Sequence, residues 1–82
     1  MAKKQPHIVV TFHTTAQALG FESFAKSLGL EGRLAPIPRQ LSAGCGFAWL
    51  ALTEDLPSTV IRFEDALERY SLGFESLQQI YL

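Results

Sequence analysis

The chain has a single cysteine among its 82 residues. An intrachain disulfide is excluded, and with it the secreted, disulfide-stapled class of small domain; a reducing, cytoplasmic setting is expected. Histidine is almost as scarce. Cys45, His7 and His13 are too few for a four-ligand zinc site, and no metal or other cofactor is expected. Charge of either sign is sparse: seven basic residues stand against eight acidic ones, for a net charge of -1. Proteins that grip nucleic acid by its phosphates carry a basic excess, so nucleic acid is not an expected partner. The apolar runs are short and interrupted, which argues against a membrane-spanning helix and against a membrane partner. The start, Met1-Ala2-Lys3-Lys4-Gln5-Pro6, is basic but has no apolar stretch behind it, so no signal peptide is expected. Glycine-rich phosphate loops of the GxGxxG or Walker kind are missing. Glu54-Asp55 and Glu64-Asp65 read as solvated turn and helix charges, and no carboxylate pair is placed for glycoside chemistry.

What the chain does have is apolar bulk. Hydrophobic residues make up 48% of it, enough to exclude disorder and to build one small core, so residues 1–82 are expected to form one domain. His7 to Phe12 reads as a strand through Ile8, Val9, Val10 and Phe12, and its nearly unbroken apolar run suits a central position. Thr14-Thr15-Ala16-Gln17 has the spacing of a capping box and opens a helix that should stop at Gly29. Ala18, Phe21, Ala25 and Leu28 share its apolar face, with Phe24 beside them, and Glu22 and Lys26 form an i,i+4 pair. Arg33 to Ile37 is a second strand; Pro36 and Pro38 remove backbone donors and place it at a sheet edge. Phe47 to Thr53 is a third strand, with Trp49 in the core. Pro57-Ser58 opens a second helix with Val60, Phe63, Leu67 and Tyr70 on one face, ended by Gly73. Leu77 to Leu82 is a weaker strand pattern, because Gln78 and Gln79 interrupt the alternation.

The order β-α-β-β-α-β predicts an α+β, ferredoxin-like sandwich with an antiparallel sheet of order 4-1-3-2. Strands one and two are then parallel, with strand three between them. The loop Arg39 to Gly46 emerges at the carboxyl end of strand one, where the first helix begins. Ser42, Gly44, Cys45 and Gly46 should therefore lie near His13, Thr14 and Thr15, while His7 belongs to the opposite end. A helix N-terminus carries partial positive charge and unpaired N–H groups, which suit the thiolate, the nucleophilic form of cysteine. Gly44 and Gly46 leave Cys45 open and let backbone N–H groups turn inward; His13 and Arg39 add positive charge. Against this stands the common fate of a lone intracellular cysteine, that of a small buried hydrophobe. A histidine after a strand is usually a cap or a surface residue, and a loop arginine is usually solvated.

Two stretches resemble the small bacterial family of selenium/sulfur carrier-like proteins. One is Phe12, Thr14-Thr15, Ala18 and Glu22; the other is Pro36-Ile37-Pro38-Arg39 followed by Ser42-Ala43-Gly44-Cys45-Gly46. The resemblance implies that Cys45 carries a persulfide or selenopersulfide, taken from a cysteine desulfurase-type donor and passed to a selenium- or sulfur-using acceptor enzyme. It makes the chain a carrier rather than a true enzyme. The residues agree on one point: no second cysteine is present to resolve an adduct within the chain, which suits atom transfer between proteins better than dithiol redox work. Two other classes stay open. One is a non-catalytic binding or regulatory module whose glycine loop holds an anion or peptide. The other is a structural subunit that pairs as a homodimer through its sheet or an edge strand.

Overall fold

A computed structural model describes residues 4–39, 41 and 45–82. The elements are β1 (Pro6–Thr11), α1 (Thr15–Leu28), β2 (Arg33–Pro36), β3 (Phe47–Leu52), α2 (Leu56–Arg69) and β4 (Ser76–Tyr81). The strands form one antiparallel sheet of order β2-β3-β1-β4, the expected order viewed from the other edge. β1 is central and β2 lies at an edge, as the apolar run and the prolines required.

Local chemistry accounts for the helix limits. Thr14 has extended backbone, and its Oγ1 accepts the Gln17 N–H at 3.1 Å. The Gln17 amide reaches back, but to the N–H of His13 at 3.0 Å, one residue earlier than a capping box prescribes. At the other end Gly29 turns left-handed (φ 71°), and the Leu30 N–H closes on the Ala25 carbonyl at 2.9 Å. α2 begins at Leu56, with Asp55 accepting the Ser58 N–H and proline in the first turn. It does not run to Gly73. Ser71 takes the left-handed conformation (φ 51°), so that Ser71 and Leu72 donate to the carbonyls of Glu68 and Leu67 in a Schellman closure. Gly73 answers instead to crowding from α1, since a Cβ there would stand 2.7 Å from the Gln17 amide nitrogen.

Both helices pack on one face of the sheet. Ile8, Val10 and Phe12 from β1 and its exit, Trp49 and Ala51 from β3, Ala18, Phe21 and Ala25 from α1, and Phe63 and Leu67 from α2 form the core. Phe21 touches three other rings, with centroids 5.5 Å from Phe12, 5.4 Å from Trp49 and 6.2 Å from Phe63. Leu28, Phe24 and Tyr70, expected on the buried helix faces, are instead 39%, 39% and 42% exposed. Phe24 and Tyr70 pack on one another, ring centroids 5.5 Å apart, and neither belongs to the core cluster.

The turn from α1 into β2 is fastened to β3. The Trp49 indole N–H donates to the Glu31 carbonyl at 2.8 Å. Gly32, at φ 115°, lies so close that a Cβ would meet the Leu50 carbonyl oxygen and Trp49 Nε1 at 2.5 Å. The Glu31 carboxylate pairs with Arg62 of α2 at 2.6 Å. Burial pushes this carboxyl up, but the Arg62 hydrogen bond and charge and a backbone hydrogen bond outweigh burial and hold it below its ordinary value. Among the described residues no helix is long and apolar enough to cross a membrane.

Two measurements check these local arguments. Thr14→Ala should lower stability by about 0.5–2 kcal/mol in urea denaturation, the worth of a lost N-cap. For Glu31, a depressed folded pKa means that its contribution is present above the unfolded value and fades as pH falls through the folded one. The difference in urea midpoint between wild type and Arg62→Gln should therefore be clear at pH 7 and shrink as the pH drops below the ordinary value of 4.5. A pH-independent difference would mean that Arg62 acts through packing alone.

Candidate functional site

β1 and β2 each pair antiparallel with β3, so they run parallel and end on the same side of the sheet. At that end Thr11 stands opposite Ala48, and Pro36 opposite Phe47. The chain leaves β1 there through Phe12, His13 and Thr14, and enters β3 there through Cys45 and Gly46. The topology thus sets Cys45 at the sheet end where α1 starts, as the element order requires.

Cys45 is a free, half-buried thiol whose side chain packs against the apolar core. Among the described residues its polar partners are local. The Phe47 backbone N–H donates to Sγ at 3.4 Å, and Sγ lies 3.4 Å from the Phe47 carbonyl oxygen, to which the thiol donates. On ionisation the bond to the carbonyl is lost while the amide bond remains. Gly46 makes this local turn possible. Its φ is 77°, and a Cβ there would meet nothing within 4 Å, so backbone conformation rather than crowding demands glycine. The Gly46 carbonyl accepts the Ile37 N–H at 3.0 Å, which closes the base of the loop. Arg39 is exposed on a turn closed by the Leu41 N–H and the Pro38 carbonyl at 3.0 Å. Ser42 and Gly44 lie outside the described residues.

The other residues singled out from the sequence divide by what holds them. Thr14 serves as the cap, and Thr15 is the exposed first residue of α1. His13 is exposed, and its Nδ1 lies 3.5 Å from a carboxylate oxygen of Glu75, just before β4. β4 flanks β1 on the side away from β3, so this contact draws the imidazole toward β4 rather than toward the β2–β3 loop. His7 is at the far end, its Nδ1 2.8 Å from the Gln5 carbonyl. Sequence reasoning missed Glu75 as the partner of His13, since a contact spanning the whole fold leaves no local signal. It also missed the Phe47 backbone as the group on Sγ, although a polar atom two residues from a main-chain N–H is a familiar turn contact.

The sequence profile of the family described as "Putative Se/S carrier protein-like" matches residues 7–77. The match runs from the first residues of β1 into β4 and includes Cys45, and the chain belongs to this family. No curated protein and no solved structure matched the chain.

The left-handed backbone at Gly46 gives a direct check on the loop. Gly46→Ala should cost about 1 kcal/mol, the penalty for a side chain in that conformation, read as a lower urea midpoint with an unchanged slope.

Proposed function

We propose that this protein is a sulfur or selenium carrier of ferredoxin-like fold, working in the cytoplasm, with Cys45 as the carrying atom's anchor. The observation that bears most weight is the position of Cys45: the chain's single thiol, half-exposed at a loop mouth, with a main-chain N–H on its sulfur. Family membership supports the same reading. In loading, the Cys45 thiolate attacks the outer sulfur of a persulfide on a cysteine desulfurase-type donor. The donor's S–S bond breaks, its own cysteine leaves as a thiolate, and Cys45 holds the persulfide. With selenium as cargo the attacked atom is selenium and the product is a selenopersulfide. Delivery is the same displacement at the terminal atom by an acceptor enzyme's nucleophile, and it returns Cys45 as a thiolate. Neither step changes the overall oxidation level, which is why one cysteine suffices.

The residues around Cys45 have defined parts in this proposal. Gly46 adds no side chain to the approach of a partner's thiol to Sγ. The Phe47 N–H supports the sulfur each time it is released as an anion. Thr14 and Thr15 hold the N-terminal turn of α1 at the same end of the sheet. Arg39 offers a positive charge on the loop rim for the anionic donor group. His13, occupied with Glu75, acts on the surface a partner meets rather than on the thiol.

Intact-mass analysis tests the proposal. After incubation with a cysteine desulfurase and cysteine, the wild-type chain should gain the mass of one sulfur atom, removable by dithiothreitol. Cys45→Ser should gain nothing. Iodoacetamide should label wild type once in the folded state. A thiol that reacts only in denaturant would return Cys45 to the role of a core residue and remove the carrier reading.

A further inference from the structure

We propose that β4 is a dimerisation edge: a second copy of this chain adds its own β4 antiparallel across a two-fold axis at Gln79, and each Tyr81 seats in a groove of the other copy. The backbone polarity of β4 is the starting point. Gln5 and Leu82 exchange both of their hydrogen bonds, at 2.8 and 3.0 Å. The Pro6 carbonyl accepts from Thr53 and so points toward β3, away from its register partner Tyr81. In an antiparallel ladder such pairs alternate. The N–H and C=O groups of Leu77, Gln79 and Tyr81 therefore point outward at the free edge, and among the described residues they have no backbone partner.

The two edges of the sheet are treated differently. β2 carries Arg33 and Pro36, with Pro38 just beyond, the residues that discourage strand addition. β4 reads Ser-Leu-Gln-Gln-Ile-Tyr, with no charge and no proline. Pairing two copies about Gln79 sets Gln79 against its own counterpart and Leu77 against the partner's Tyr81. All three outward residues are then hydrogen-bonded pairs, and no like charges meet along the seam.

Side chains supply the complementarity that a bare edge lacks. Leu77 packs on the core, so by alternation Gln79 and Tyr81 stand on the helix side as well. Tyr81 is 60% exposed. Beside Leu77 lies an open groove of about 390 Å³ between α2 and β4, floored by Leu67, Phe74 and Leu77 and rimmed by Glu64 and Glu68. The pairing about Gln79 carries the partner's Tyr81 to this groove. Its ring covers the apolar floor, and its phenolic O–H finds carboxylate acceptors at the rim. The Leu77 positions of the two copies, and the acidic rims beside them, are four residues apart along the seam. That is about 13 Å of strand rise, beyond the screening length of about 8 Å at physiological salt.

An interface of one strand and two aromatic side chains is at the small end of the size range, so weak association is expected. The test is sedimentation equilibrium of the full chain from about 1 μM to about 1 mM, a span that brackets such affinities. Wild type should shift from its 9.1 kDa monomer mass toward twice that value. Tyr81→Ala should weaken dimerisation at least about tenfold. Gln79→Lys and Gln79→Glu should each stay monomeric alone and dimerise when mixed, because the two-fold sets position 79 against itself. Far-UV circular dichroism confirms that each variant is folded. A wild type monomeric across the whole range would overturn the proposal. So would a dimer indifferent to Tyr81→Ala, or a mixture of the Lys and Glu variants that fails to associate.

Discussion

Phe21 is the contact on which the architecture turns. One ring from α1 meets Phe12 at the exit of β1, Trp49 of β3 and Phe63 of α2, so it joins both helices to the two central strands. Aromatic pairs of this kind contribute about 0.5–1.5 kcal/mol each beyond simple burial. Truncating a buried phenylalanine costs about 3–5 kcal/mol, against about 5–15 kcal/mol for a whole domain. In a chain this small, much of the fold's stability thus passes through one residue. The same cluster organises the sheet end that carries Cys45, because Phe12 is the last buried residue before the cap of α1, and Cys45 packs against the same core.

Much of the fold was legible because it rests on local rules. Thr14 had to cap a helix because its hydroxyl could reach the Gln17 N–H; Gly29 had to end it because that position turns left-handed. Pro36 and Pro38 forced β2 to the edge, and the run Ile8-Val9-Val10 demanded cover on both faces, which β1 has. The misreadings have two causes. Helical spacing tells which residues share a face but not how far the opposing surface extends. Phe24 and Tyr70 carry the right period and lie past the reach of the sheet, so they settled against each other. Gly73 looked like a helix stop by composition, whereas Ser71 accepted the left-handed turn two residues sooner.

The candidate site was legible to the extent that topology dictates it. Two parallel strands with a third between them force the β2–β3 loop and the start of α1 to one end, whatever the side chains. Side-chain direction is a finer matter. His13 stands one residue before the cap, on the β1 exit, and β1 has neighbours on two sides; which one the imidazole chose depended on Glu75, more than sixty residues away in sequence. Among the described residues the sulfur's hydrogen bonds are nearest-neighbour backbone geometry, set by the single left-handed residue between Cys45 and Phe47.

The amide of Gln17 joins parts of the chain that otherwise answer to different constraints. Its oxygen accepts the His13 N–H, and its nitrogen lies where a side chain at Gly73 would begin. A side chain at position 73 would therefore turn the glutamine aside and loosen its hold on the His13 N–H. The start of α1 thus depends in part on the size of a residue that follows α2, although fifty-five residues lie between positions 17 and 73.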